Sequence, residues 1–420
     1  MPHVLVAGAG PVGLTTAVLL AEAGMTVEVF EAGEAISTQP RASTFHPPTL
    51  DLLHRIGIAE PLIAQGLKAP VYQHRDRERG LVANFDHAVL AGDTAFPYRL
   101  QAEQHKLCEL LLGRLGDTVR FRHRVLAVSQ DDDGVAVRVE GPGGPRTARG
   151  DYLIDAGGAP GAVREALGIA FEGFTYEDRY LVLLTTFPFE DHLEGLEKVN
   201  YISDPDEYVV LLRAPDAWRV LFPVREEIRD PEIWERMLQG VVASPVPYEV
   251  IHHQLYFIHQ RVAERFREGG VLLIGDAAHI NSPIGGMGMN NGIHDAFSLA
   301  GAMSRPDGTG DGPDGSGGGP KSSGGGPDGS GDGPDGPDGG GPDRDRALDI
   351  WARQRREVAL EYVRIITDRN ARALGEKDPG RRLLAQREMA AAAADPVRAR
   401  EWLLDSSMLN AVRGQGLLPC

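Results

Sequence analysis

The apolar and polar positions of the first thirty residues describe a strand, a helix and a second strand. Residues 3–8 form a short apolar run, which predicts a buried strand. Residues 12–24 carry apolar side chains at helical spacing and finish at Gly24, as a helix terminus commonly does. Residues 26–30 are again mostly apolar. The pattern therefore predicts a βαβ unit at the start of the chain.

The same periodicity predicts further elements over the next part of the chain. They are helices over 47–66 and 101–115, a hairpin over 119–139 and a short buried strand over 152–154. Much later, the apolar run 271–274 predicts another buried strand, followed by a Gly-rich turn. An amphipathic helix then begins near Asn290. Together these elements indicate one α/β unit that is interrupted in the middle.

The interruption, residues 176–260, has a different character. Strand-like runs dominate it, at 180–186, 208–213, 219–224 and 250–258, and short links such as Ala214–Ala217 join them. This pattern is typical of a mainly antiparallel sheet. We expect the sheet to form a wall or lid over the α/β unit.

Residues 304–345 are of low complexity, with near-repeats of Gly, Pro and Asp and almost no hydrophobic side chains. Glycine keeps no strict three-residue period, which excludes collagen. We expect a disordered insertion, because such a composition cannot offset the entropy of ordering. A helix is predicted over 346–374, and the last forty residues, rich in Arg and Ala, should be helical and pack on the first domain.

Composition narrows the class of protein. The 420 residues carry a formal charge of -17, and without a basic stripe this argues against a nucleic-acid partner. The two cysteines, Cys108 and Cys420, suit neither a disulfide framework nor a metal site, so we expect no metal and a reducing compartment. No segment reaches the roughly twenty apolar residues of a membrane span. A soluble, cytoplasmic protein is the expectation.

The first candidate chemistry lies in the βαβ unit. Gly8, Gly10 and Gly13 form a Gly-x-Gly-x-x-Gly motif between strand and helix, and Glu31 ends the second strand. The glycines permit a tight turn, close approach of a pyrophosphate and close helix packing, while the helix N-terminus attracts the phosphates. Glu31 is placed to accept hydrogen bonds from ribose hydroxyls. The motif predicts a dinucleotide but does not distinguish NAD from FAD.

The second motif favours a flavin. Gly275-Asp276-Ala277-Ala278-His279 follows the buried strand 271–274, and a turn with Gly285, Gly286 and Gly288 leads into the helix. Asp276 can bind a hydroxyl of a ribityl chain. Backbone N–H groups of the turn, with Met289 and Asn290 at the helix N-terminus, suit the carbonyl edge of a flavin ring whose negative charge grows on reduction.

With these pieces in place, the chain resembles the class A flavoprotein monooxygenases, the family of 4-hydroxybenzoate hydroxylase and many antibiotic-tailoring hydroxylases. The resemblance covers nearly everything outside residues 304–345. Besides the two Gly-rich motifs it includes Arg41-Ala42, Gln101 at the opening of the helix 101–115, the segment 155–164, and Leu348–Trp351 with Arg355-Arg356.

The resemblance implies specific roles. FAD would be bound by Gly8, Gly10, Gly13, Glu31, Arg41, Gln101, Asp276, Gly286, Gly288, Met289 and Asn290, with Pro283 at the reactive edge of the ring. NADPH or NADH would reduce the flavin, O2 would form a C4a-hydroperoxide, and oxygen would pass to an aromatic, phenolic ring. One departure stands out: the family usually has Asp where this chain has Gly157, which puts nicotinamide affinity in doubt, and Asp155 lies two residues away.

Substrate contacts are less defined. Alternation along 252–259 places His252 and Tyr256 on one face of a strand, with His253, Phe257 and His259 on the other, so His252 and Tyr256 are catalytic candidates. Tyr201 is a further candidate, and a structural role is expected for His279. Ordinary sheet positions remain the alternative reading for each of them.

The expected fold is α/β: a Rossmann-like FAD-binding domain (1–70, 98–172 and 262–303), an inserted, mainly antiparallel substrate domain (71–97 and 173–261), and C-terminal helices (346–420). The expected activity is NAD(P)H-dependent hydroxylation of a small aromatic molecule. Oxidative decarboxylation, Baeyer–Villiger insertion, antibiotic inactivation and ligand binding without turnover remain alternatives. A halogenase is disfavoured, because the Trp218 region lacks the Trp-x-Trp-x-Ile-Pro element. The oligomeric state stays open, with a homodimer as one option.

Overall fold

A computed structural model describes residues 1–305 and 342–419 of the chain. The expected disorder of residues 304–345 falls almost entirely outside this range. The helix that follows begins at Pro342, so the last four residues assigned to the insertion are helical instead. Within the described residues, no helix has both the length and the hydrophobicity needed to cross a bilayer.

The strands are, in chain order, β1 His3–Ala7, β2 Thr26–Phe30, β3 Thr44–Phe45, β4 Leu67–Ala69, β5 Val71–Asp76, β6 Gly80–Asp86, β7 Arg99–Gln101, β8 Val119–Arg120, β9 Arg124–Asp131, β10 Gly134–Gly141, β11 Gly144–Gly150, β12 Tyr152–Asp155, β13 Phe171–Thr185, β14 Val199–Ser203, β15 Val209–Arg213, β16 Trp218–Val224, β17 Val250–Ala263, β18 Arg267–Glu268, β19 Val271–Leu273 and β20 His279–Ile280.

The helices are α1 Pro11–Glu22, α2 Pro47–Arg55, α3 Ala59–Ile63, α4 Gln104–Leu115, α5 Ala162–Ala166, α6 Pro231–Val241, α7 Gly288–Met303, α8 Pro342–Glu357, α9 Arg364–Leu374, α10 Pro379–Ala394, α11 Pro396–Ser406 and α12 Leu409–Gly414. A π-helical turn, Val358–Val363, joins α8 to α9.

The first sheet has the order β18-β19-β12-β1-β2-β8 among the described residues. Its strands are parallel except for the edge pair β18–β19. Val4 and Val6 of β1 pack with helix residues such as Leu14, whereas Leu5 packs with Val137 of the small sheet β9–β11. Both faces are thus covered, as a parallel sheet requires, and the loops after β1 and β19 leave its carboxyl edge.

The second sheet has the order β20-β17-β13-β16-β15-β14-β5-β6 in the part of the chain that is described, and only β14–β5 is parallel. One face, with Leu183 and Phe222, packs on α6. The opposite face, with Tyr180, Val182 and Tyr201, packs against Ile284 of the loop before α7 and against C-terminal helix residues. This α/β arrangement, with its inserted antiparallel sheet, is the predicted fold class.

Several predicted boundaries were wrong. The helix expected over 47–66 is two helices, separated where Gly57 takes a φ of +66°. Gln101 does not open a helix; it ends strand β7, and α4 begins at Gln104. The hairpin over 119–139 is larger, because β11 adds a third strand and β8 joins the first sheet.

The C-terminal helices pack on both halves of the molecule, not on the first domain alone as expected. Helix α8 lies against α7 of the first half. Residues of α10 and α11, including Ala392 and Leu403, belong to the apolar cluster of the second sheet. Trp402 donates a hydrogen bond to the hydroxyl of Tyr72 at 2.7 Å. The C-terminal helices α8, α10 and α11 therefore connect the first half of the molecule to the second sheet.

Candidate active site

The turn after β1 has a backbone that only glycine allows. Gly8 takes a φ of +99°, and a Cβ on Gly13 would lie 2.1 Å from the carbonyl oxygen of Gly8. At Gly10, in contrast, a Cβ would meet nothing within 4 Å. The first turn of α1 contains no acidic side chain and has no side-chain cap. The turn therefore directs backbone N–H groups at an open space, as a bound pyrophosphate requires.

Glu31 links the turn after β1 to the loop after β2. Its Oε2 accepts a hydrogen bond from the backbone N–H of Ala9 at 2.8 Å, and its Oε1 accepts one from Gly33 at 2.7 Å. The side chain remains partly exposed, so each oxygen keeps acceptor capacity for a ribose hydroxyl. Glu31 thus fixes the shape of the turn as well, which the sequence pattern did not reveal.

The loop between β19 and α7 carries the second motif. Asp276 is accessible to solvent yet enclosed by protein atoms, and this enclosure raises the pKa of its carboxyl, while His279 and Arg41 lower it. Gly286 takes a φ of +69°, and a Cβ there would lie 3.2 Å from the Cβ of Thr44. The sixteen-residue helix α7 starts at Gly288 with no acidic residue in its first turn, which leaves a positive dipole end for an anionic ligand.

Asn290 ties this loop to the segment around β3. Its Nδ2 donates to the carbonyl oxygens of Thr44 at 2.8 Å and Gly286 at 2.7 Å, and its Oδ1 accepts from the backbone N–H of His46. The Nε2 of His46 makes a hydrogen bond with the carbonyl oxygen of Gly285 at 2.8 Å. Asn290 is fully buried with its amide satisfied, so it positions the loop.

Gln101 has unused hydrogen-bonding capacity beside this loop. It is fully buried, its Oε1 accepts from the hydroxyl of Thr44 at 3.1 Å, and its Nε2 has no partner among the described residues. A buried donor left unpaired costs on the order of 1–3 kcal/mol. An acceptor from outside the chain would complete this hydrogen bonding. FAD, with its phosphate, ribityl and ring oxygens, supplies such acceptors, and the residues present fit it.

A buried ionic network of Asp295, Arg355 and His279 packs beneath the loop between β19 and α7. Asp295 is fully buried and accepts hydrogen bonds from the backbone N–H of Gly275 at 2.9 Å and from Arg355 at 2.5 Å, and its Oδ2 lies 2.7 Å from the Nε2 of His279. Burial raises the pKa of Asp295, but Arg355 and His279 outweigh it and leave the pKa at about 2. Arg355 also donates to Asn291 at 2.6 Å. His279 thus has a structural position at the base of the loop between β19 and α7, residues 274–287, which is called the flavin loop below.

The unusual Gly157 is explained by its neighbour. The backbone N–H of Gly157 donates to Oδ1 of Asp155 at 2.9 Å, and a Cβ on Gly157 would lie 3.0 Å from the same oxygen. Oδ2 of Asp155 has no partner among the described residues, and burial raises the pKa of this carboxyl to about 6. Asp155 thus places a buried carboxylate two residues before Gly157, beside the dinucleotide turn.

This arrangement predicts a compensating pair of substitutions. Gly157→Asp sets a second carboxylate beside Asp155, so we expect it to destabilise the protein by about 1–3 kcal/mol at pH 8 and by less at pH 5. Asp155→Gly added to it should restore most of the loss. Urea unfolding of both variants at the two pH values measures this. A Gly157→Asp protein as stable as the wild type at pH 8 would contradict the explanation.

The structure keeps the two strand candidates for the substrate on one face of β17, with His252 opposite Leu184 and Tyr256 opposite Tyr180. Tyr256 lies on the face of the second sheet that packs toward the first half, and Leu255 lies on the opposite face, as the alternation predicted. The Tyr256 hydroxyl is in hydrogen-bonding contact with the Pro40 carbonyl and with Oε1 of Gln254, so it holds the segment before Arg41. His252 keeps an unpaired Nε2 within the described residues. Arg41 and Pro283 are both exposed.

A buried polar cluster between the second sheet and β7 was missed from the sequence, apart from Tyr201. The Arg99 guanidinium lies 4.3 Å from the ring centre of Tyr72 and donates to the Tyr201 hydroxyl at 3.2 Å. His74 stacks on Tyr201, and His87 packs edge-on against Tyr72. The members come from strands β5, β7 and β14 and the turn after β6, far apart in sequence. No local pattern marked these residues, because β5 and β7 carry several other polar side chains.

These histidines make stability depend on pH. Burial, followed by the charge of Arg99, lowers the pKa of His87 to about 3 and of His74 to about 4, and burial lowers that of His294 to about 3. The ordinary pKa of a histidine is 6.5, so the unfolded chain binds more protons than the folded chain between pH 6.5 and about 4. Stability is complete above pH 6.5 and falls as the pH drops. Asp155 opposes this trend, because its raised pKa favours the folded state below pH 6.

We expect His87→Asn to reduce the slope of the free energy of unfolding against pH by about 1.4 kcal/mol per pH unit between pH 4 and 6. This is the contribution of the one proton that His87 binds only in the unfolded chain. The amide can still donate to the Pro70 carbonyl that Nδ1 of His87 contacts at 2.8 Å. Urea unfolding at several pH values gives the slope. His192→Asn, at an exposed position, is the matched control and should leave the slope unchanged. Equal slopes in all three proteins would refute the assignment.

Comparison with known proteins agrees with this geometry. A family model described as FAD binding domain matches residues 1–310. Para-nitrophenol 4-monooxygenase of Pseudomonas sp. strain WBC-3 is 31% identical over 423 residues, covering 98% of this chain and 96% of that protein. 6-Hydroxy-3-succinoylpyridine 3-monooxygenase of Pseudomonas putida is 34% identical over 316 residues, covering 72% of this chain and 79% of that protein.

Among solved structures, p-nitrophenol 4-monooxygenase from Pseudomonas putida DLL-E4 superimposes with a TM-score of 0.83 at 29% identity, covering 98% of this chain and 99% of that one. The match therefore includes both sheets and the C-terminal helices. The resemblance seen in the sequence is confirmed, as is the prediction of FAD as cofactor. This chain belongs to the class A FAD-dependent aromatic monooxygenases.

Proposed function

We propose that this monooxygenase hydroxylates a single-ring phenol or hydroxylated heteroaromatic ring. The observation that carries the proposal is the match to para-nitrophenol 4-monooxygenase over nearly the full length of both chains. The second relative is also named for a substrate with one ring. Overall, one oxygen atom of O2 enters the ring and the other becomes water, with NADH or NADPH as the electron donor.

We further propose how the chain divides this work. Bound FAD, once reduced by the nicotinamide, supplies the activation of O2. The first half holds the cofactor through the glycine turns, Glu31, Arg41, Gln101 and Asp276. The N-terminus of α7 stabilises negative charge on the ring system. The second sheet forms the wall that positions the substrate and excludes water, with His252 and Tyr201 on the face toward the first half. Pro283 borders the reacting edge of the flavin ring.

Reduced-nicotinamide oxidation tests the activity directly. The FAD-loaded enzyme is mixed with NADH or NADPH and a panel of single-ring phenols, and the products are analysed after reaction under isotopically labelled O2. We expect faster nicotinamide oxidation with a phenol and one labelled oxygen atom in the ring. Labelled oxygen inserted between carbon atoms, or loss of a carboxyl group, would instead indicate a Baeyer–Villiger or decarboxylating enzyme. A flavin that neither nicotinamide reduces would refute the proposal.

A homodimer is proposed from the edge of the second sheet. Strand β17 pairs with β20 only at Arg261 and Val262 in the described part of the chain, so most of its outer edge is unpaired. Ile251 and Phe257 on this strand are 49% and 58% exposed. Open strand edges with apolar side chains favour pairing with another chain. Sedimentation velocity tests this: a dimer that Phe257→Lys dissociates supports it, and a monomer refutes it.

We also propose a cytoplasmic location. Its support is the low cysteine content, with Cys108 buried and unpaired within the described residues. Fractionation of the producing cells, with activity assayed in each fraction, tests this location.

A further inference from the structure

We propose that Arg99 binds a planar group whose two oxygens share negative charge on the aromatic substrate, either a carboxylate or a nitro group conjugated to a phenolate. This inference rests on the proposed function, because it specifies the substituent of the ring that the enzyme accepts. It goes beyond that function by assigning a recognition role to a residue outside both cofactor motifs.

Arg99 is a buried charge without a counterion. Its side chain is 2% exposed, and no carboxylate lies within ion-pair distance among the described residues. Its single side-chain hydrogen bond there goes to the Tyr201 hydroxyl, and its Nε has no partner. Removing an ion from water costs several kcal/mol unless a counterion and hydrogen bonds offset it. The protein alone does not provide that compensation.

The other buried arginines show how this chain normally satisfies a guanidinium. Arg355 is bound by Asp295 and Asn291, and Arg219 by the Arg41 carbonyl and Glu103. Arg75 and Arg164 each donate through both terminal nitrogens to side-chain or backbone oxygens. Arg99 differs from all of them, because in the described structure it has neither a carboxylate within 4.0 Å, as Arg355 and Arg219 have, nor a second acceptor, as Arg75 and Arg164 have. An external ligand would account for the difference.

The free part of the guanidinium has a defined shape. Since Nη1 is used by Tyr201, the Nε–Nη2 edge remains, and its two N–H bonds are parallel. Such an edge matches two coplanar oxygens of one group, as in bidentate arginine–carboxylate pairs. A single phenolate oxygen would satisfy only half of it. The geometry therefore favours a two-oxygen substituent.

The position of Arg99 links it to the reaction site. Arg99 and Gln101 both belong to β7, and residues two apart on a strand project to the same side about 7 Å from each other. Gln101 contacts Thr44, which packs against Gly286 of the flavin loop. When Arg99 holds the substituent at one end of an aromatic ring, the opposite end of the ring thus lies within reach of the flavin edge.

The surroundings of Arg99 leave its charge unopposed. The ring of Tyr72 covers one face of the guanidinium, and His46, His74 and His87 are close enough for its charge to lower the pKa of each, after the larger effect of burial. With the histidines neutral above pH 6.5, the cluster holds one net positive charge in a region of low dielectric. Such a site discriminates strongly between anionic and neutral ligands.

Ligand titrations of the FAD-loaded enzyme test this assignment. Four probes share one ring: 4-hydroxybenzoate, 4-nitrophenol, the neutral 4-hydroxybenzamide and 4-methylphenol. Binding is followed by the change in flavin absorption. We expect the wild type to prefer at least one of the two-oxygen probes to 4-methylphenol by about tenfold or more, and Arg99→Gln to weaken that probe about 10- to 100-fold. The probe that loses most identifies carboxylate or nitro as the natural group.

Two further variants separate recognition from structure. Arg99→Lys keeps the positive charge but not the two parallel N–H donors, so its affinity for the preferred probe should fall about tenfold. Arg75→Gln removes a buried arginine elsewhere in the second sheet and should leave the preference ratio unchanged. Equal weakening of all four probes in Arg99→Gln, or a wild type without preference, would overturn the assignment. Tight binding without product would refute the proposed function alone, whereas turnover of 4-hydroxybenzoate or 4-nitrophenol that Arg99→Gln leaves unchanged would refute this inference alone.

Discussion

Gly13→Ala is expected to abolish FAD binding and to unfold the turn after β1. The added Cβ would lie 2.1 Å from the Gly8 carbonyl oxygen and 3.2 Å from the Ala156 Cβ. A clash with backbone cannot be relieved by a side-chain rotation, so we expect a loss of about 3 kcal/mol or more in stability. The same displacement moves α1 away from the pyrophosphate. FAD affinity should fall more than about 100-fold.

Two glycines provide matched controls for this variant. Gly10→Ala places a Cβ in open space, so the apoprotein should keep its stability while FAD binds more weakly, because the pyrophosphate needs that space. Gly113→Ala, exposed on α4 with no neighbour within 4 Å, should stabilise by about 0.5–1 kcal/mol without effect on FAD. Denaturant unfolding and FAD titration measure both quantities. Normal FAD affinity in Gly13→Ala would show that the turn is not the pyrophosphate site.

Arg355→Met should have the second large effect. It leaves Asp295 fully buried and without its cationic partner, and breaking a buried ion pair from one side costs about 3–5 kcal/mol. Because Asp295 also holds the backbone N–H of Gly275, the flavin loop should loosen and FAD affinity should fall. Burial would then govern the pKa of Asp295, which should rise from about 2. Loss of stability should consequently be smaller at low pH.

The control for Arg355→Met lies on the same helix. Arg353 is exposed on α8, and Arg353→Met should change stability by no more than about 0.5 kcal/mol. Urea unfolding of the holoproteins and apoproteins separates the effect on the fold from the effect on FAD. If Arg355→Met unfolded at the same urea concentration as Arg353→Met, the network would not support the loop.

The cofactor loops are predictable from the sequence because their constraints are local. Gly8 and Gly13 lie within one turn, and the loop from Gly275 to Asn290 is continuous, so spacing and residue type alone specify the chemistry. The substrate side is different. Arg99 meets Tyr201 across 102 positions, and His46 meets Gly285 across 239. Such pairs follow from how two sheets face each other, which no local pattern contains.

The misassigned helices have a related cause. Apolar spacing extends through the segment 47–66, but a φ of +66° at Gly57 ends the first helix before the second begins. The predicted helix began at Gln101, but Gln101 pairs with β3 and β4 as the last residue of β7, and the helix begins three residues later. Only tertiary contacts decided where each helix starts.

The contact between Arg355 and the side chain of Gln415 joins the segment after α12 to the cofactor site. Asp295 lies under the loop between β19 and α7, Arg355 binds Asp295, and Gln415 binds Arg355. Trp402 of α11 likewise binds Tyr72, whose ring covers Arg99. The C-terminal helices therefore brace both the cofactor loop and the residue proposed to bind the substrate, so damage to these helices is expected to affect cofactor and substrate binding together.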